Sequence, residues 1–277
     1  MDVSDTISLR AALMASRLPR LETHLLWQTV LGVTRAWLIA HDLDPVTAAQ
    51  VAQFEALQAR RLAGEPMAYL LGVREFYGRD FAVGPAVLIP RPETEGLVEC
   101  ALQIVQRVHQ PRILDLGTGS GAVAVTLALE RPDADVLATD CSHEALAVAH
   151  GNADRLGAQL GFLQGNWYDV ELGSRCFDLI VSNPPYIPAR DAHLHQGDLR
   201  FEPGPALTDG ADGLQALQVI VRGAGAYLCA QGALCVEHGW DQAAAVRAMM
   251  AAAGFTGVAS QRDLAGIERI TQGRWPA

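Results

Sequence analysis

The hydrophobic positions change their period partway along the chain. From Ile7 to Ala63, apolar residues recur near helical spacing: Leu9, Leu13 and Leu18, then Leu21, Leu25, Leu26 and Val30, then Val51, Phe54, Leu57 and Leu62. This stretch reads as helices only, with starts at Asp5 or Thr6, Thr34 and Asp44-Pro45, and stops at Gly32 and Gly64. It carries no charged cluster of catalytic type, so packing is its default role and partner docking the functional alternative. Residues 74–77 and 80–83 then flank Gly78-Arg79 as two short strands around a turn. Arg91-Pro92-Glu93-Thr94-Glu95 opens a helix to about Val108, with Pro92 suited to its first turn. Local rules make Arg91 and Thr94 part of a capped helix start; the alternative brings them to a cleft.

From Arg112 onward the pattern alternates strand and helix, the signature of a parallel sheet wrapped by helices. Strands are expected at 112–116, 135–139, 160–163, 177–181 and 233–237, with two more near 257–261 and 267–271. Helices are expected at 122–130, 143–156, 214–228 and 242–252. Right-handed crossovers put the carboxyl ends of the parallel strands, and any ligand, on one edge.

Three polar features fall on that edge. The first is Asp115-Leu116-Gly117-Thr118-Gly119-Ser120-Gly121, between a strand and a helix, where glycines let the backbone come close to a ligand. Its spacing also satisfies a loose dinucleotide pattern, so it does not select the cofactor. The second is Asp140, about 20 residues on, placed to accept hydrogen bonds from ribose hydroxyls. Asn166-Trp167 adds an amide and an aromatic wall for a flat base. Taken singly, Asp140 could be a helix cap and Trp167 core.

The third is Ser182-Asn183-Pro184-Pro185-Tyr186. Proline restrains the backbone of Asn183, and Pro184 and Pro185 have fixed φ and no N–H, so the corner offers mainly acceptor oxygens. Asn183 adds a side-chain carbonyl and Tyr186 a flat face. By itself such a corner is a tight turn with a packed tyrosine. Beside the glycine loop it suits a planar –NH2 group held in line with a methyl donor. A hydride transferase would need a base, usually His or Lys, opposite a carbinol, and nothing after the fourth strand supplies one.

Composition narrows the classes. Half of the 277 residues are hydrophobic and 19% charged, as in a folded globular protein, and a net charge of -10 argues against a dedicated nucleic-acid surface. No apolar run is long enough to span a bilayer, and no signal-type segment opens the chain, so a cytoplasmic location is expected. Cys100, Cys141, Cys176, Cys229 and Cys235 form no C-x-x-C pair, which fits buried thiols in a reducing compartment. His193 and His195 lack a third ligand at metal spacing and read as loop residues, so no metal is expected.

Together with residues 89–94 (Ile-Pro-Arg-Pro-Glu-Thr), 195–203 (His-Gln-Gly-Asp-Leu-Arg-Phe-Glu-Pro) and 237–240 (Glu-His-Gly-Trp), these motifs resemble the release factor glutamine methyltransferases, the HemK/PrmC family, over essentially the full length. The resemblance implies an α/β, class I S-adenosylmethionine-dependent methyltransferase fold with a Rossmann-like, mostly parallel sheet whose end strand is antiparallel. It implies a helical substrate-docking domain at 1–72, a β-hairpin linker at 73–88 and the methyltransferase domain at 89–277. The implied reaction methylates the side-chain amide nitrogen of the glutamine in the Gly-Gly-Gln motif of peptide chain release factors, with S-adenosylhomocysteine as by-product. Carried over residue by residue, Gly117, Thr118, Gly119, Ser120, Gly121, Asp140, Trp167 and Asn183 contact the cofactor, while Asn183, Pro184, Pro185 and Tyr186 hold the glutamine and form the catalytic corner. Release factors are the implied partners, with no membrane or nucleic-acid partner. The corner alone does not exclude a ribosomal-protein glutamine. A flipped DNA adenine would use the same corner but is opposed by the acidic composition with no Lys/Arg-rich run, and a scaffold that binds adenosine without catalysis would leave the intact corner unexplained.

Overall fold

A computed structural model describes residues 7–277, in two compact units that divide after Val73. Asp5 and Thr6 lie outside the described residues.

The first unit holds α1 (Leu9–Met14), α2 (Arg20–Leu31), α3 (Arg35–Ala40), α4 (Ala48–Leu62) and α5 (Met67–Leu71). Ser8 caps α1, Thr34 caps α3, and Thr47 with Gln50 forms a capping box on α4, so polar side chains satisfy amides that each first turn leaves open. α2 stops at Gly32, as expected. The helices-only expectation is incomplete: β1 (Ile7–Ser8) pairs antiparallel with β2 (Pro45–Val46). Asp44-Pro45 therefore enters a strand, and α4 starts after Thr47. Leu9, Leu26, Trp27, Leu38, Phe54 and Leu70 form the core, with Trp27 stacked on Phe54 at 4.7 Å. Leu21 and Leu62, expected in that face, are exposed.

β3 (Val73–Phe76) and β4 (Arg79–Ala82) form a two-stranded sheet. Its turn is Tyr77-Gly78, one residue earlier than expected, with φ of 52° and 73°. Two consecutive positive φ values suit a tight hairpin, and Tyr77 tolerates its own because its amide donates to Glu95 Oε1 at 2.9 Å.

The second unit is organised by a seven-stranded sheet. Its parallel strands are β5 (Arg112–Leu116), β6 (Asp135–Asp140), β7 (Gly161–Gln164), β8 (Phe177–Ser182) and β9 (Leu228–Glu237). β10 (Thr256–Arg262) and β11 (Glu268–Arg274) complete it in the order β10-β11-β9-β8-β5-β6-β7, with β11 antiparallel to both neighbours. The helices are α6 (Glu95–Val105), α7 (Ala122–Glu130), α8 (His143–Leu156), α9 (Gly204–Leu207), α10 (Gln215–Ala224) and α11 (Ala243–Ala252). β9 begins five residues before the expected 233, and α10 ends at 224 instead of 228. The cause is local pairing: Phe177 N donates to Tyr227 O at 2.7 Å, which recruits the chain after α10 into the sheet.

Both sheet faces are covered. One core includes Leu97, Val98, Ile113, Val125, Leu127 and Val181; the other includes Leu114, Leu116, Ile180, Leu217, Ile220 and Val236. The strands accordingly read as near-continuous apolar runs. The order of crossovers reverses at β5, whose neighbours are β6 and β8. In open α/β sheets the crevice at such a reversal is where ligands bind. Of the thiols expected to be buried, Cys100 and Cys235 are; Cys141 is exposed, and Cys176 and Cys229 are half-buried. Among the described residues no helix is long and apolar enough to cross a membrane.

Candidate active site

The reversal brings two loops together because Leu116 and Ser182 are register partners at the ends of β5 and β8. The glycine loop follows the first and the Asn-Pro-Pro-Tyr corner the second. A cavity opens between them, lined on the loop side by Gly117, Thr118, Gly119 and Ser120 and elsewhere by Asp140, Trp167, Asn183 and Pro185. Gly121, Pro184 and Tyr186 are not on that wall. Gly121 begins α7, where an added Cβ would stand 3.1 Å from Ala149 Cβ, so its role in the structure is helix packing. Tyr186 packs into the core beside the corner.

Gly117, at φ 76°, does need to be glycine. An added Cβ would stand 3.3 Å from the Trp167 ring, so the loop backbone and the indole are in contact across the cavity wall. Trp167 itself has φ 53°, in a turn bridged between Asn166 and Asp169. Asp140 holds the loop from β6: Oδ2 accepts the Gly119 amide at 2.9 Å and Oδ1 the Ser142 amide at 2.9 Å. Ser142, not Asp140, supplies the side-chain cap of α8. Each Asp140 oxygen keeps lone-pair capacity toward the cavity.

Asp115 also lines the cavity, although it is only 2% exposed. Burial pushes its carboxyl up to about 7, with the nearby Asp140 charge adding to the rise; the Thr118 hydroxyl at 2.7 Å and the Ala124 backbone oppose it. A buried carboxyl on a cavity wall favours a cationic ligand, whose charge would offset that desolvation.

Thr94 and Arg91 come to the cavity instead of capping a helix. Thr94 sits at the junction of a 3-10 turn (Pro92–Thr94) and α6 and makes no side-chain cap bond there. Its Oγ1 accepts the Asn183 Nδ2–H at 3.1 Å. Arg91 pairs with Glu202, whose Oε2 also accepts the Ile89 amide at 2.9 Å. The long-range contacts outcompete the local cap. The Asn183 amide is thereby oriented, and among the described residues no donor reaches its Oδ1 or the Pro184 carbonyl.

Behind the corner, the Tyr186 hydroxyl donates to Glu237 Oε1 at 3.0 Å. Burial holds the Tyr186 phenol well above its usual range. Glu237 is 1% exposed and burial pushes it up to about 7, while Thr94, Tyr186 and Arg269 favour its ionised form and Glu93 opposes it. Its Oε2 completes no hydrogen bond, although the Thr94 hydroxyl stands close enough to hold its pKa down. Gln242 donates from Nε2 to the Tyr186 carbonyl at 3.0 Å and to Gly213 O at 3.2 Å. Gly213 lies so close over the corner that an added Cβ would fall 2.2 Å from Tyr186 O.

Thr94 thus takes the cleft alternative, and Glu202, Glu237 and Gln242 are supports that local spacing left unassigned. The Phe-Glu-Pro and Glu-His-Gly-Trp motifs pointed to two of them without giving a role. His193 and His195 stand in an exposed 3-10 turn, His193 Nδ1 2.7 Å from Asp191 Oδ1.

A family model for the PrmC N-terminal domain matches residues 8–72, and one for the methyltransferase small domain matches residues 96–198. A methyltransferase from Pyrococcus furiosus shares the α/β methyltransferase fold, with a TM-score of 0.54 at 17% identity over 80% of this chain and 100% of that one. The release factor glutamine methyltransferase of Escherichia coli is 44% identical over 265 residues, 95% of each chain. That of Bordetella pertussis is 60% identical over 256 residues, 92% of this chain and 95% of the relative. With identity at that level along nearly all of both chains, this chain belongs to the release factor glutamine methyltransferase family.

Proposed function

We propose that this protein transfers a methyl group from S-adenosylmethionine to the side-chain amide nitrogen of the glutamine in the Gly-Gly-Gln motif of a peptide chain release factor. The observation that carries the reading is the Asn183 amide. Its N–H is committed to Thr94 while Oδ1 is left as an acceptor on a cavity whose opposite wall is the glycine loop. Carboxamide N–H groups need such acceptors.

The lining fits the proposed cofactor. Asp140 can take ribose hydroxyls, Trp167 can take a flat base, Gly117, Thr118, Gly119 and Ser120 leave room for the chain, and Asp115 can offset cationic charge. When bound, S-adenosylmethionine supplies an electrophilic methyl group on a sulfonium. The chain's own task is positioning. Asn183 Oδ1 accepts one amide N–H at the cavity wall, and Pro185 closes the cavity beside it. Tyr186 stands beside this wall, so its part is to fix the corner through Glu237 and Gln242, in place of holding the glutamine itself.

An amide nitrogen is a poor nucleophile, because its lone pair is delocalised. Holding it in line is worth up to about 7–11 kcal/mol in favourable cases. Carbonyl dipoles aimed at the nitrogen also stabilise the positive charge that develops there. The proton leaves with or after transfer, so the corner needs no carboxylate at the reacting atom. In the same reading the helical unit, residues 1–72, grips the substrate protein; exposed Met14, Leu21, Ile39 and Leu43 supply apolar area for it.

The test is transfer of labelled methyl from S-adenosylmethionine to a release factor, the same factor with its glutamine replaced, ribosomal proteins and DNA. Label on the intact release factor alone is expected. Label on the glutamine-replaced factor, or only on ribosomal protein or DNA, overturns the acceptor.

A further inference from the structure

A side-chain amide can present either its oxygen or its nitrogen, and the two ends differ little in shape. What decides the end shown to the cavity at Asn183 is the hydrogen-bond chain behind it. Asn183 Nδ2 donates to Thr94 Oγ1. Thr94 is 4% exposed and makes no helix cap, so its own hydroxyl hydrogen needs a buried acceptor. The side-chain acceptor within its influence is Glu237: Oε1 already takes the Tyr186 hydroxyl, Oε2 is buried with no hydrogen-bond partner of its own, and the Thr94 hydroxyl is among the groups that favour the carboxylate's charge. Arg269 stabilises the charge on that carboxylate.

We propose that Glu237 and Thr94 are positioning residues for methyl transfer: the buried Glu237 carboxylate, an acceptor only, sets the direction of the Thr94 hydroxyl and thereby forces Asn183 to present oxygen, not nitrogen, to the substrate amide. Each link follows from donor and acceptor capacity. A carboxylate has no hydrogen to give, so Thr94 donates to it. A hydroxyl that has donated its hydrogen is left with lone pairs, so Thr94 accepts from Asn183 Nδ2. With Nδ2 taken, Oδ1 is the end that remains. This inference rests on the proposed glutamine acceptor.

The chain also says how to reverse it. Glutamine at position 237 has nearly the same shape but can donate. Its Nε2–H would bond to Thr94 Oγ1, the Thr94 hydroxyl would turn to Asn183 Oδ1, and Nδ2 would face the cavity. Two N–H groups would then meet where substrate carboxamide and Asn183 now complement each other. A carboxylate or carbonyl would become the better ligand.

The experiment compares wild type, Glu237→Gln, Thr94→Val and Thr94→Ser, assayed well above the Glu237 value of about 7. The substrates are a release factor and the same factor with glutamate in place of its acceptor glutamine, the latter as an inhibitor. Wild type that fails to label the release-factor glutamine sinks the functional reading itself, whatever the variants do. Given an active wild type, Glu237→Gln and Thr94→Val are each expected to lose about 10²-fold in kcat, the scale for one lost transition-state hydrogen bond, with cofactor affinity little changed. Thr94→Ser, which keeps the hydroxyl, restores the rate. Glu237→Gln should also shift inhibition toward the glutamate form by about tenfold or more relative to wild type, a change that mere loosening does not produce. A kcat within about threefold of wild type in Glu237→Gln or Thr94→Val overturns the relay. So does a rate loss in Glu237→Gln with no change in preference between glutamine and glutamate.

Discussion

Ser182 donates its hydroxyl to the carbonyl of Leu116 across 2.6 Å, joining the last residues of β8 and β5 just before their two loops diverge. Both residues are fully buried, so no water replaces the bond if it is removed. The distance between the glycine loop and Asn183 depends on this strand pair. Ser182→Ala is expected to cost about 1–3 kcal/mol of stability, the penalty of leaving a buried carbonyl unsatisfied. It should also lower kcat at saturating cofactor. Denaturant melts and steady-state kinetics check it: a stability loss with unchanged kcat reduces the bond to a structural one.

The contact between Gly117 and Trp167 gives a second expectation. At φ 76° alanine is strained, and its Cβ would press on an indole 3.3 Å away. Gly117→Ala should therefore weaken S-adenosylmethionine binding by about tenfold or more, while Trp167→Ala removes the wall and weakens it by a similar factor. Calorimetric titration measures both. Affinity within about twofold of wild type in both variants would place the adenine elsewhere.

What the sequence made legible was whatever depends on neighbouring residues. Alternating apolar runs and turn residues located the parallel strands, the glycine loop and the corner, because a buried strand and a tight turn leave marks within ten residues. The misses have the opposite character. Thr94 reads as a helix start by local rules, yet its hydroxyl serves Asn183, 89 positions away. Arg91 serves Glu202, 111 positions away. The short β1–β2 pairing links residues about forty positions apart through two residues a side, too short for any period to show. The hairpin turn slipped by one because Gly78 takes the second left-handed position, and the first falls on Tyr77, whose amide is held by Glu95 on α6. Supports such as Glu237 and Gln242 follow from the tertiary fold, which local periods do not encode.

Asn183→Ala tests the division of labour in the cavity. It removes the acceptor oxygen and the bond to Thr94 but leaves Gly117, Asp140 and Trp167 in place. Turnover is expected to fall by about 10²–10³-fold, as for loss of one group aimed at developing charge. The dissociation constant for S-adenosylmethionine should change by a few-fold at most. A near-normal rate removes Asn183 from the mechanism, and an equally large loss of cofactor affinity reassigns it to binding.

Asp115 carries the pH dependence, and its sign can be worked through. Its ordinary value is 3.8, and in the folded protein burial raises it to about 7. Between those values the folded protein keeps a proton that the unfolded chain has released, so folding stability falls as pH rises through the window and levels off above it. Glu237, raised to about 7 from 4.5, adds a contribution of the same sign. The ligand-free protein should melt at a lower temperature at about pH 8 than at about pH 5.5 as far as these groups decide it, and Asp115→Asn should remove part of that difference. A cationic ligand in the cavity reverses the preference, because it favours the ionised carboxyl. S-adenosylmethionine binding should accordingly tighten with pH up to about 7, by at most about tenfold per unit, and flatten beyond. In Asp115→Asn the affinity should be lower and nearly independent of pH over that range. If the variant keeps the wild-type pH profile, Asp115 does not face the cationic part of the cofactor, and the charge complementarity assigned to this wall is wrong.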